Sequence, residues 1–121
     1  MKTTKTLEKF IDWANERGID KMLPSRNGYT ANTVEELGEW QKAWDDKDTH
    51  EMIDALADIV VFSCTELVKL GYNPDKVLQE TYKEINSRIG SWNTADDKWK
   101  KDTSPEAKAK WYKANYENCK L

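Results

Sequence analysis

Glu35, Glu36 and Glu39, followed by Glu51, Asp54 and Asp58, are the side chains of this sequence best suited to chemistry, and all lie within residues 33–62. On a helix, residues three and four apart share a face. Glu35 and Glu39 are so related, as are Glu36 and Glu39, and so are Glu51, Asp54 and Asp58. Carboxylate oxygens suit hard divalent cations, and the single histidine, His50, and the two cysteines, Cys64 and Cys119, form no competing ligand set. The cation expected is magnesium, with manganese as the alternative. Magnesium held in this way commonly serves phosphate chemistry: it neutralises phosphate charge and lowers the pKa of a bound water, whose proton an unligated carboxylate can take. The five glycines form no phosphate-binding loop, and nothing marks an activated serine or cysteine. What remains is metal-assisted attack of water on a phosphoanhydride.

A magnitude bears on this. Two like charges 4 Å apart repel by roughly 4 kcal/mol at an effective dielectric of about 20. Several such pairs would cancel a typical folding stability of about 5–15 kcal/mol. Clustered acids are therefore metal-bound, partly protonated or spread into solvent. A solvated face suits Glu35 and Glu36. Asp54 and Asp58 sit among Ile53, Ala55, Leu56, Ala57, Ile59 and Val60, so a buried setting is expected for them, and a metal with it. A charged helix face with no chemistry is the plain alternative.

The elements that must position these acids are helices. Thr33 with Glu36 matches a capping box and predicts a helix over 33–44, which gives Glu36 a second reading as a cap. Its other face carries Val34, Leu37, Trp40, Gln41 and Trp44. After the turn DDKD, with Asp48 as N-cap, the most apolar helix runs from His50 to Leu70 and stops at Gly71. A short turn makes the two helices antiparallel neighbours, so their acidic stripes can face each other. Before them, 3–17 reads as an amphipathic helix and 19–31 as a loop. After them, Asn73 and Pro74 start a fourth helix with a buried stripe of Val77, Leu78, Tyr82 and Ile85, ending at Gly90. Ser91 to Asp102 is a polar segment, and Thr103 or Ser104, then Pro105, opens a last helix carrying Trp111, Tyr112 and Tyr116. No strand pattern is evident. The class expected is all-α, a four-helix-bundle core with an added C-terminal helix.

At 121 residues a single domain, 1–121, is expected, with its acidic metal-binding core at 33–62 and a C-terminal extension at 91–121. A net charge of −3 and a pI near 5.3 argue against nucleic acid as the partner. Mean hydropathy is −0.91, and Asp54, Asp58 and Glu66 interrupt the best apolar run, so no membrane span is expected. The start, MKTTKTLEKFIDW, lacks a signal-peptide core, and the cysteines suggest no disulfide framework, so a cytoplasmic setting is expected. The apolar helix of so small a domain needs partners beyond its own chain, which predicts a homodimer or homotetramer.

EELGE at 35–39 with EMIDALADIVVF at 51–62 resembles the MazG-type all-α nucleotide pyrophosphohydrolases, whose signature is E-E-x-x-E, a gap, then E-x-x-D. KLGYNPDKVLQETYKEINSRIG at 69–90 is similar to that family's fourth helix, and KWKKD at 98–102 and YKANY at 112–116 resemble the ends of short, often phage-encoded members. The resemblance implies hydrolysis of a (deoxy)nucleoside triphosphate between the α and β phosphates, giving monophosphate and pyrophosphate. Carried over, Glu35, Glu36 and Glu39 match the first motif and Asp58 the final Asp. Ala55 stands where the family has Glu, so either Asp54 takes that role with Asp58, the reading preferred because LADIVVF continues the family pattern and leaves Glu51 at the rim, or the motif is read from Glu51 and Asp54. Glu36 would bind a second ion or orient and deprotonate the attacking water. Asn86 and Arg88 match the family's phosphate-side Asn and basic residue, with Lys101 and Lys113 as further candidates.

The six tryptophans have two readings. Trp40, Trp44 and Trp111 read as core or interface; Trp13 is a candidate for stacking on a base; Trp92 and Trp99 could close over a site or dock on a neighbouring chain. The lysines of the last third read as a solvated face or as a clamp on the distal phosphates. Within the enzyme class, dimeric dUTPase and phosphoribosyl-ATP pyrophosphohydrolase activities are the alternatives. Outside it, the alternative is a non-catalytic helical interaction module with a structural cation.

Overall fold

The computed structural model describes residues 4–121. They form two compact units, one reaching to Asp75 and including Leu121, the other Lys76–Lys120.

The first unit is three helices, α1 (Thr4–Glu16), α2 (Arg26–Asp45) and α3 (Thr49–Lys69), with a 3-10 turn at Ile19–Lys21. Gly18, at φ 69°, stops α1. The expected loop over 19–31 is cut short, because α2 starts at Arg26 rather than Thr33. Ser25 is its N-cap, accepting the Gly28 N–H at 3.0 Å. The Ser25 N–H donates to Glu66 Oε2 at 3.1 Å, and the Tyr29 hydroxyl meets Ser63 Oγ at 2.8 Å. These ties fix the early turns of α2 to α3 and outweigh the turn signals of Asn27 and Gly28. Thr33 and Glu36 thus lie in the helix interior, and the capping reading of Glu36 is removed.

Asp48 caps α3 as expected, accepting the Glu51 N–H at 3.1 Å, and Gly71, at φ 89°, follows its end. Where the helices meet, the buried side chains are small: Ala14, Ala43, Ala55, Cys64 and Val68. Small contacts let helix axes approach closely and leave larger neighbours outside. Val34, Leu37 and Trp44 on α2 and Ile53, Leu56 and Val60 on α3 are exposed, so the expected apolar faces stay largely uncovered. Trp40 and Trp44 stack on each other, centroids 5.7 Å apart.

The second unit holds most of α4 (Pro74–Asn86), strands β1 (Gly90–Asn93) and β2 (Lys98–Lys101), the short α5 (Pro105–Lys108) and a 3-10 turn at Tyr116–Cys119. The antiparallel hairpin corrects the expectation of no strand. Trp92 pairs across it with Trp99, and the turn is closed by the Asp96 N–H donating to Asn93 Oδ1. Three lysines on β2 hide the alternation that normally reveals a strand. The expected buried stripe of α4 is also corrected: Leu78, Tyr82 and Ile85 are exposed.

The last helix is a further correction. Of the two N-caps offered, Thr103 and Ser104, it opens at Ser104, but it stops at Lys108. The chain beyond is pinned to α4 instead. The Tyr112 N–H donates to Ser87 Oγ at 2.7 Å, the Ala114 N–H to Glu84 Oε1 at 3.1 Å and the Asn115 N–H to Glu80 Oε1 at 2.9 Å. Glu80, Glu84 and Ser87 lie on one helical stripe, so backbone donors that a helix would satisfy internally find side-chain acceptors. No described helix is long and apolar enough to cross a membrane.

Candidate active site

Because α2 begins at Ser25, its three glutamates stand mid-helix, where their rotation is set by packing on α3. Glu36 faces inward and is only 8 % exposed, while Glu35 and Glu39 are exposed. Asp58, on α3, is half-buried. The Glu36 carboxyl is pushed up to about 7, first by burial, then by its hydrogen bond to the Glu39 carboxyl, then by the negative charges of Glu39, Asp58 and Glu35. A hydrogen bond between two carboxyls needs a proton, and Glu36 is the one held neutral. Glu35, Glu39 and Asp58 thus lie near enough for their charges to act on Glu36.

One oxygen of Glu36, Oε2, is buried with no partner, and one turn earlier Thr33 Oγ1 is in the same state. Buried oxygens are normally satisfied, so two orphans beside a cluster of acids mark where a ligand belongs. Glu39 also lines a cleft of about 260 Å³ with Lys42, Ala43, Asp46, Asp48 and Glu51. Lys42 is held there by Asp46 at 2.7 Å. Glu51 therefore stands at the rim of the same acidic region.

Asp54 does not join the cluster. It is exposed, contrary to the buried setting expected, and is not among the charges acting on Glu36. The flanking apolar residues that suggested burial, Ile53 and Leu56, are themselves exposed. Among the described residues, no three Asp, Glu, His or Cys side chains already surround a common point as metal ligands do. The donor set nonetheless fits a hard divalent cation: oxygen donors alone, a carboxyl held protonated for want of positive charge, and an oxygen with a free lone pair.

Trp13, on α1, packs edge-on against Phe10, with the Arg17 guanidinium 4.7 Å from its ring. The other candidates belong to the second unit. Asn86 and Lys113 are exposed. Arg88 and Lys101 come together, 5.2 and 5.4 Å from the Trp111 ring centroid, and Arg88 pairs with Glu84 at 3.3 Å. Lys98, read from the sequence as part of a solvated face or a phosphate clamp, and Trp99, read as able to close over a site, line a pocket with these two basic residues; the hairpin that carries them was missed. Two tryptophans flanking an Asn-Thr-Ala-Asp-Asp turn were the available signal.

No curated protein and no solved structure matches this chain. The model of one family does, over residues 7–84, which take in the acidic helices and most of α4. That family's enzymes depend on divalent cations, in keeping with the oxygen-rich site on α2 and α3. With well over half the sequence matched and the helical fold that accompanies it, the chain belongs to the phosphoribosyl-ATP pyrophosphohydrolase family.

Proposed function

We propose that the protein hydrolyses a (deoxy)nucleoside triphosphate between the α and β phosphates, releasing monophosphate and pyrophosphate, with magnesium or manganese as cofactor. The observation that carries this is Glu36: a carboxyl buried among three other acids, with one oxygen unpartnered. Glu35, Glu39 and Asp58 would hold the cation, with Glu36 facing the attacking water and Glu51 at the rim. Asp54 stays in solvent. When bound, the cation supplies charge neutralisation of the polyphosphate and a more acidic water. The residues of the chain do the rest. Glu36, freed of its proton, accepts a proton from the attacking water. Burial, then Glu39 and Asp58, raise the Glu36 carboxyl to about 7 before the cation arrives, so it gives up its proton easily near neutral pH.

The family match favours a second reading, in which phosphoribosyl-ATP is the substrate. Both substrates are cut at the same bond. Incubation with each nucleotide and magnesium, followed by product separation, decides between them. Monophosphate plus pyrophosphate from triphosphates supports the first reading; turnover of phosphoribosyl-ATP alone supports the second; diphosphate plus orthophosphate refutes both.

The uncovered apolar side chains support self-association. Ile53, Leu56 and Val60 lie at helical spacing on α3, and Val34, Leu37 and Trp44 on α2. Two such stripes in one unit are more than a lone monomer usually exposes. A homodimer or homotetramer that buries them is the assembly proposed.

A further inference from the structure

We propose that the pocket formed by the hairpin and the end of α4 is a nucleotide-binding site in its own right. It has a volume of about 580 Å³ and is lined by Ile85, Arg88, Lys98, Trp99, Lys100, Lys101 and Thr103. That size suits a small organic ligand. All of these residues lie beyond Glu84, where the family match ends.

The charge of the lining is the first argument. It holds four cations and no acid, in a chain whose net charge is −3. Two of the four are already engaged, Arg88 with Glu84 and Lys100 with Asp96 at 2.8 Å. Lys98 and Lys101 have no ion pair among the described residues. Like charges gathered in a concave site create a field that attracts anions.

Unsatisfied donors are the second argument. Arg88, Lys101 and Lys108 crowd the Trp111 ring at 5.2, 5.4 and 6.0 Å. Beside them, Arg88 Nε and Trp111 Nε1 are buried with no acceptor. Of these side chains Arg88 and Lys101 line the pocket, and Arg88 keeps a donor with no acceptor, a deficit that a phosphate oxygen would fill.

The third argument separates a nucleotide from bare phosphate. Trp99 and Ile85 give the pocket an apolar wall, and Trp99 remains 55 % exposed although paired with Trp92 across the hairpin. An aromatic plate beside cations suits a base stacked next to its own phosphates. A phosphate or pyrophosphate ion would leave that wall unused. Trp92 does not line the pocket, so there is one stacking surface rather than a track for a strand.

The ligand is a nucleoside polyphosphate, either the substrate itself or a second nucleotide. The test uses the whole protein and α,β-methylene-ATP in calorimetry at low salt, with EDTA present. Without metal the acids of α2 and α3 repel polyphosphate, so binding reports the basic pocket alone. The wild type is expected to bind. The Lys98→Ala/Lys101→Ala variant, altered only at exposed side chains, is expected to bind at least about tenfold more weakly. Trp99→Leu is expected to lose the preference for nucleotide over pyrophosphate. Unchanged affinity in the double lysine variant, no binding by the wild type, or pyrophosphate binding as tightly as the nucleotide would overturn the proposal. Glu36→Gln should bind like the wild type in EDTA, so a failed pocket and a failed acidic site give different results. With magnesium, that variant also names the occupant: two nucleotides per chain mean a second ligand, and one means the substrate. Either count upholds the site.

Discussion

Glu36 and Glu39 stand one turn apart on α2, and the Glu36 carboxyl is raised to about 7 by burial, by its hydrogen bond with Glu39 and by the charges of Glu39, Asp58 and Glu35. In the absence of metal, a proton does the work of a cation in holding these acids together.

Metal binding should expel that proton. With the Glu36 carboxyl at about 7, magnesium added at pH 7 is expected to release roughly half a proton per site. Calorimetry in buffers of differing ionisation enthalpy measures this number. Glu36→Gln should release none.

The same carboxyl makes metal-free stability depend on pH. The folded protein keeps a proton that the unfolded chain sheds near 4.5, so between that value and about 7 the folded state binds more protons. Stability from this group is present in full below 4.5 and is lost as pH rises through 7. Melting temperatures in EDTA should fall across this window. Glu36→Gln, which needs no proton, should melt higher than the wild type at pH 8 and lose most of that advantage at pH 4.

Turnover should separate the acids by location. Glu36→Gln is expected to reduce kcat by about 100-fold or more while the fold and nucleotide affinity persist. Asp58→Asn should weaken magnesium binding and move the Glu36 titration downward, since its charge raises Glu36. Asp54→Asn, at an exposed position, should change magnesium affinity far less. Initial rates against magnesium concentration test all three, and equal effects of the two aspartate variants would refute the assigned site.

In the second unit, Glu80 is the fastener. The Tyr112 hydroxyl, the Asn115 N–H and Lys83 all donate to it and hold its carboxyl down to about 2. A depressed carboxylate stabilises the fold above its ordinary value of 4.5, and that stability is lost as pH falls toward 2. Glu80→Ala should release the segment around Tyr112 and lower the melting temperature by several degrees; Tyr112→Phe, which removes one donor of three, should lower it less. The aromatic near-ultraviolet dichroism reports the loss.

If the bare stripes of α2 and α3 join copies of the chain, a charge on one should part them. Leu56→Glu, at an exposed position, is expected to shift the protein to monomer at micromolar concentration without loss of helix content. Sedimentation equilibrium measures the change. A wild type that is already monomeric would refute the assembly.

Much was legible in the chain before any coordinates. The spacing of Glu35, Glu36 and Glu39 and the placement of Asp58 depend only on helical periodicity, and so does their ability to share a face. Asp48, Gly71 and Pro74 announced helix ends because capping and left-handed backbone are local properties. The all-helical class followed from the same periodicity, with the hairpin of Trp92 and Trp99 missed under its lysines.

What the tertiary structure decided was which acid is buried. Periodicity places Glu35 and Glu36 almost equally, and the apolar neighbours that suggested burial for both Asp54 and Asp58 did not separate the two. Only the rotation of α2 and α3 about their small buried contacts, Ala43 and Ala55, turns Glu36 inward and leaves Asp54 in water. The start of α2 was decided likewise by Glu66 and Ser63, far along the chain, and the extended path of Tyr112 to Asn115 by Glu80, Glu84 and Ser87. Local signals set what a segment can become; a partner distant in sequence, by filling a hydrogen bond or covering a face, selects what it is.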